Sequence, residues 1–179
     1  MEREWRFIDQ KGREIWLRPA RPEDAEGILS SIASVARERS FILTENVGRT
    51  VEEEAKYIAN LDTQHNLLLV ALHEDKVIGG LGASQAGGGK YPKLQHVLEI
   101  GLHLVKDYRE AGIGSQMLAY AIEWAKEKGF GKLTAQIFTT NRRSIHLFEK
   151  HGFQEEGRRK RQYRIGSEYI DEVMMGLLL

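Results

Sequence analysis

The stretch Val105-Lys-Asp-Tyr-Arg109-Glu-Ala-Gly112-Ile-Gly114 constrains this chain most, because it is wedged between an apolar strand pattern and a long amphipathic helix pattern. Upstream, Val97-Leu-Glu-Ile-Gly-Leu-His-Leu-Val105 is rich in β-formers and ends at a charged turn. Downstream, Gly112 to Lys128 carries Ile113, Met117, Leu118, Ala121, Ile122 and Ala125 on one helical stripe. A strand, a short glycine loop and a helix start together make an anion site. The first helical N–H groups have no partner within the helix, and the macrodipole favours negative charge there. Turn chemistry or tight packing of helix on strand would account for the same glycines without any ligand.

A second segment follows at a telling distance. Lys132-Leu-Thr-Ala-Gln-Ile-Phe138 reads as a strand, and Asn141-Arg-Arg-Ser-Ile-His-Leu-Phe148-Glu-Lys-His-Gly152-Phe153 as a short helix stopped by glycine. Arg109-x-x-Gly112-x-Gly114 followed by Asn141…Phe148-Glu-Lys-x-Gly152-Phe153 resembles the GCN5-related N-acetyltransferase (GNAT) superfamily. The resemblance is close from about Val97 to Phe153. It is weaker over the rest, where Ile15-Trp-Leu-Arg18-Pro-Ala-Arg-Pro-Glu-Asp24-Ala looks like that family's opening strand and first helix.

Composition narrows the function classes. Lys+Arg and Asp+Glu are equal at 26 each, so no global field recruits nucleic acid or acidic lipid. There is no cysteine, which removes disulfides, thiolate zinc sites and a thiol nucleophile. Met1-Glu-Arg-Glu-Trp lacks the apolar core of a signal peptide, and Leu67-Leu-Leu-Val-Ala-Leu72 is too short to span a bilayer. A cytoplasmic protein is expected, with no nucleic acid, membrane or metal among its partners and with room for a homodimer.

The rest of the pattern reads as one domain over residues 1–179. Trp5-Arg-Phe-Ile and Glu14 to Arg18 flank Asp9-Gln-Lys-Gly12 as a hairpin. Pro22-Glu-Asp-Ala opens a helix with Ile28, Leu29, Ile32 and Val35 on its stripe, and Thr50 with Glu53 makes a capping box for a second. The loop between them, Ser40 to Arg49, is where mobility is expected. Strands follow at Leu67–His73 and Val77–Ala83. Gly87-Gly-Gly89 has no helix pattern behind it and is no phosphate cradle. Arg158–Arg164 and Tyr169–Leu178 then form a final strand–turn–strand. The expected class is α+β in three layers: a mixed, twisted, largely antiparallel sheet of about seven strands with helices on both faces.

The resemblance implies acetyl-CoA as acetyl donor, a primary amine (small amine, amino acid or protein N-terminus) as acceptor, and direct attack in a ternary complex. It places the cofactor on Leu104 and Val105 for the pantetheine arm, and on Arg109, Ala111, Gly112, Ile113, Gly114 and Ser115 for the diphosphate. Arg109 would add a charge-assisted bond, or be a solvated surface arginine. Asn141 would meet the arm, and is equally a good helix N-cap. Phe148 departs from the family, in which many members have a tyrosine whose hydroxyl protonates the departing thiolate; phenylalanine has no proton to give. Water would then supply the proton, or another group such as Tyr108, Tyr163 or Tyr169 would, or the thiolate would leave unaided. The departure at Phe148 keeps open a catalytically idle acyl-CoA-binding module. Glu99 matches the family's catalytic glutamate in the pattern Glu-Ile-Gly-Leu and would be the general base, or else a partly buried, hydrogen-bonded carboxylate. His103 shares its strand face, as a second base or a satisfied core histidine. The run Arg158-Arg-Lys-Arg161 reads as an exposed edge strand pairing with acids, with the CoA 3′-phosphate or an acidic substrate as further uses.

Overall fold

Strict alternation along Leu67–His73 sends Leu67, Leu69 and Ala71 into one core and Leu68, Val70 and Leu72 into another, so this strand is covered on both faces. The computed structural model describes residues 4–38 and 48–179. Its strands are β1 (Trp5–Ile8), β2 (Glu14–Pro19), β3 (Leu67–His73), β4 (Lys76–Gln85), β5 (Val97–Leu104), β6 (Lys132–Phe138), β7 (Gln154–Ile165) and β8 (Glu168–Leu178). All eight join one sheet, ordered β1-β2-β3-β4-β5-β6-β8-β7, one strand more than the expected seven. Only β5 and β6 run parallel.

Helices α3 (Ile113–Glu127) and α4 (Arg142–Lys150) cover one face, where Met117, Leu118, Ala121 and Phe148 meet Leu98, Ile100 and Leu133. Helices α1 (Ala25–Ala36) and α2 (Val51–Ala59) cover the other through Ile28 and Ile58. Local signals place the helix starts. Thr50 Oγ1 accepts from Glu53 N–H (3.2 Å) while Glu53 Oε2 accepts from Thr50 N–H (2.8 Å), closing the capping box of α2. The expected loop Ser40–Arg49 lies outside the described residues except for Gly48 and Arg49. Among the described residues no helix is long and apolar enough to cross a membrane.

β7 begins at Gln154, four residues before the expected Arg158. It is an edge strand exposed along almost its whole length, so Gln154-Glu-Glu-Gly carries no hydrophobic alternation to mark it. The register then jumps between Arg159 and Tyr163, a bulge in which Arg161 turns left-handed (φ 52°) and donates its N–H to Asp171 Oδ1 (2.7 Å). The basic run is therefore split. Arg158 pairs with Glu155 and Arg159 with Glu172.

Candidate active site

The parallel ladder of β5 and β6 lasts only from Val97↔Lys132 to Glu99↔Thr134. Beyond it both strands continue, β5 held by β4 and β6 by β8, and they splay apart. Val105 N–H donates to Ile78 O (2.9 Å), so by the two-residue alternation of an antiparallel ladder Ile100, Leu102 and Leu104 turn their backbone groups toward the gap. Of the two residues assigned to a pantetheine arm, Leu104 thus faces the gap, while the Val105 amide is spent on the sheet.

One mouth of the gap is the start of α3. The amides of Ile113, Gly114 and Ser115 precede the first helical bond, Gln116 N–H to Gly112 O (3.2 Å), and no side chain caps them. Gly112 is left-handed (φ 83°), and so is Glu110 (φ 56°), which curls the Glu110–Gly112 backbone into a concave turn. The two glycines have different reasons. A Cβ on Gly114 would lie 3.2 Å from Leu147 Cδ2 on α4 and at ordinary contact distance, 3.6 Å, from Leu104 Cδ1, so close packing of α3 on α4 favours a bare position here. The Ser115 hydroxyl bonds His151 Nε2 (2.7 Å).

Arg109 borders the cavity at this anion site and is not a solvated surface arginine, because its side chain is bound within the fold. Its Nε donates to Leu104 O (2.8 Å), and its two terminal nitrogens form a fork on Glu38 (2.8 and 2.6 Å) at the end of α1. The pair holds the Glu38 carboxyl below its ordinary range, the hydrogen bond from Arg109 outweighing burial. A further support that sequence reasoning missed is given to the loop by the β1–β2 hairpin. Its tip donates Gln10 N–H to Ala111 O (3.1 Å), and Arg13 donates to Asp107 O (3.2 Å) while lying over the Tyr108 ring. The hairpin was visible in sequence; its reach to a loop a hundred residues on was not.

Three cavities follow the gap. The first, about 480 Å³, lies at the α3 start between Gly112, Ser115, Asn141 and Lys150. The second, about 270 Å³, shares Leu102, His103, Asn141 and Ser144 with it and lies between the splayed strands against Phe148 and Tyr163. The third, about 380 Å³, shares Ile100, Gly101 and Gln136 with the second and contains Glu99, Ser84 and Tyr57. Sharing these residues, the three cavities adjoin one another along the splayed strands.

Asn141 is the N-cap of α4, its Oδ1 accepting from Ser144 N–H (3.2 Å), and it lines the first two cavities. Phe148 is buried edge-on to Phe153 and borders the second. Tyr163 faces that same cavity, but its hydroxyl donates to the buried Glu172, which also receives Arg159 (2.6 Å). Burial and the bond to Glu172 push the Tyr163 phenol above its ordinary range. Tyr108 is bonded to His73 Nδ1 (3.0 Å) at the other side of the loop, and Tyr169 is exposed at the β7–β8 turn. Of the three substitute tyrosines, Tyr163 alone lines the gap.

Glu99 is exposed, with no side-chain hydrogen bond or ion pair among the described residues, so it is not the buried, bonded carboxylate that its apolar neighbours suggested. Alternation turns it to the α1–α2 face, where the splay and the cavity admit water. His103 lies on that face too. Ser31 Oγ donates its proton to Ile28 O (2.8 Å), so His103 Nε2, 2.9 Å away, carries a hydrogen and donates to it. Burial, with the Arg109 charge nearby, pushes the imidazole down to about 4, and it is neutral at physiological pH.

A splayed parallel pair thus opens a gap with a helix start at its mouth, and comparison with known proteins decides the family. The acetyltransferase (GNAT) family model matches residues 32–153. The chain belongs to the GNAT acetyltransferase family. Among curated relatives, the Bacillus subtilis (strain 168) protein YwnH, named as a provisional phosphinothricin acetyltransferase, is 28% identical over 141 residues, covering 79% of this chain and 85% of its own. A GNAT-family acetyltransferase structure from Streptococcus pneumoniae superposes with a TM-score of 0.85 at 27% identity, covering 92% of this chain and 99% of that one. A Sinorhizobium meliloti GNAT phosphinothricin acetyltransferase, solved with acetyl-CoA, shares the fold with a TM-score of 0.82 at 22% identity, covering 97% and 89%.

Proposed function

We propose that this GNAT protein moves an acetyl group from acetyl-CoA to a primary amine by direct attack. The gap between β5 and β6 carries the reading, because it offers an anion site at one end and a lone carboxylate at the other. The amides of Ile113, Gly114 and Ser115 would hold the diphosphate, each gaining a charge-assisted bond where the fold leaves an orphan donor. Backbone groups of Ile100, Leu102 and Leu104 would pair with the pantetheine amides as a missing strand would, and Asn141 could add its Nδ2 while capping α4. When bound, the thioester supplies the activated acyl carbon.

Glu99 has the remaining task. An alkylammonium has a pKa of about 10.4 and cannot attack until it loses a proton. An exposed carboxylate in the third cavity can take that proton directly or through one water. Phe148 can only pack, and Tyr163 has committed its proton to Glu172, so solvent returns the proton to the thiolate. The test is acetyl-CoA turnover against an amine panel, read as free thiol, alongside calorimetry of CoA binding. Amine-dependent thiol release supports the transferase; tight CoA binding without release from any amine marks an idle binding module.

A further inference from the structure

Two glycines of the central sheet are required by no contact among the described residues. Gly82 on β4 and Gly101 on β5 face each other in the ladder, on the same side as Glu99 and His103. Neither has a positive φ, so neither is glycine for a conformational reason. A Cβ built on either meets no atom of the described residues within 4 Å, so among these residues no packing contact requires glycine at either position. Their neighbours differ. A Cβ on Gly79 would lie 2.5 Å from His103 O, and one on Gly80 would lie 3.0 Å from the His103 ring. Glycine in a strand interior weakens the strand, and where backbone and packing do not require it the remaining reason is the close approach of something else.

The bare pair lies where the chemistry would happen. Gly101 borders both the gap behind the thioester position and the cavity holding Glu99, and Gly82 floors that same cavity. The next pair along the ladder is Ser84↔Glu99. An amine delivered to Glu99 has its own carbon beside it, and that carbon must rest on this floor. In a hydrogen-bonded pair of an antiparallel ladder the two Cα atoms are about 5.5 Å apart, so two missing side chains leave room for a substituted carbon rather than a bare methylene.

Resting on the transferase reading above, we infer that Gly82 and Gly101 are the acceptor floor and that they admit a primary amine borne on a branched carbon. Alanine at either position adds one methyl group into this space and nothing else. The experiment measures kcat/KM of the wild type, Gly82→Ala and Gly101→Ala with the straight-chain n-alkylamine that the wild type uses best, from ethylamine to hexylamine, and with its α-methyl homologue. Each variant should lose about tenfold or more with the branched amine and less than about threefold with the straight one, the scale of one methyl group in a fitted pocket. Calorimetric acetyl-CoA affinity should stay at the wild-type value, and the melting temperature should stay level or rise, since the fold gives up nothing. An unchanged ratio between the two amines, or a lower melting temperature, overturns the inference while leaving the transferase reading intact. Thiol release from no amine by the wild type overturns both.

Discussion

Acid should destabilise the free protein through His103. The folded chain holds this imidazole at about 4 by burying it against Ser31, whereas the unfolded chain returns it to about 6.5. Between those values the unfolded state binds the proton and the folded state refuses it. Stability is therefore full above pH 6.5, falls as the pH drops through 6.5, and levels off near 4. At pH 5 nearly all unfolded chains but only about a tenth of folded ones carry this proton, which costs about 2 kcal/mol relative to pH 7. For a chain of this length that is roughly 4–8 °C in Tm. His151, also lowered by burial and by Lys150, acts in the same direction, so the assay must be differential. Denaturant melts of the wild type and His103→Gln at pH 7, 6 and 5 isolate the contribution, because glutamine keeps a donor for Ser31 and does not titrate. The slope should shrink in the variant by about 2 kcal/mol across the window. Parallel stability curves for the two proteins would show that His103 titrates normally and that its burial has no such cost.

Three further outcomes concern the site. Gly112→Val should weaken CoA binding at least tenfold in calorimetry, because a β-branched residue resists φ 83°, and CoA should raise the Tm of the wild type far more than that of the variant; equal affinities would remove the anion site from this loop. Phe148→Tyr should keep or raise the acetylation rate by adding a proton donor beside the gap, and a large loss of turnover with CoA affinity retained would show that this buried ring serves packing alone. Glu99→Gln should lower kcat by roughly 10²-fold with acetyl-CoA affinity nearly unchanged, and raising the pH toward the amine's own pKa should restore part of the loss; wild-type kcat in the variant at about pH 7 would make Glu99 a bystander.

What the sequence made legible was local. The strand–loop–helix around Gly112, the capping box of Thr50 and Glu53, and Asn141 at the start of α4 each depend on residues within a few positions of one another, and each is where the pattern put it. What it hid was long-range. Arg109 finds Glu38 seventy-one residues upstream, which no spacing rule encodes, and the Tyr163 hydroxyl donates to Glu172 only because a bulge brings the two together across a hairpin. Gly114 looked like room for a phosphate and is room for Leu147. Glu99 looked buried because its neighbours are; strand parity turned it outward, and the brevity of the β5–β6 ladder, invisible in sequence, opened the space in front of it.

That short ladder also divides the chain by its order in sequence. Strands β1 to β5 lie on one side of it and β6 to β8 on the other, with three residue pairs of backbone stitching between. A ligand lying in the gap would add its own hydrogen bonds to that stitching and work as a lengthened spine. Hydrogen exchange should therefore register CoA far from any contact with it: the amides of β6 and β8 should exchange early in the free protein and fall silent together when the gap is filled, the tail of the molecule reporting what its middle has bound.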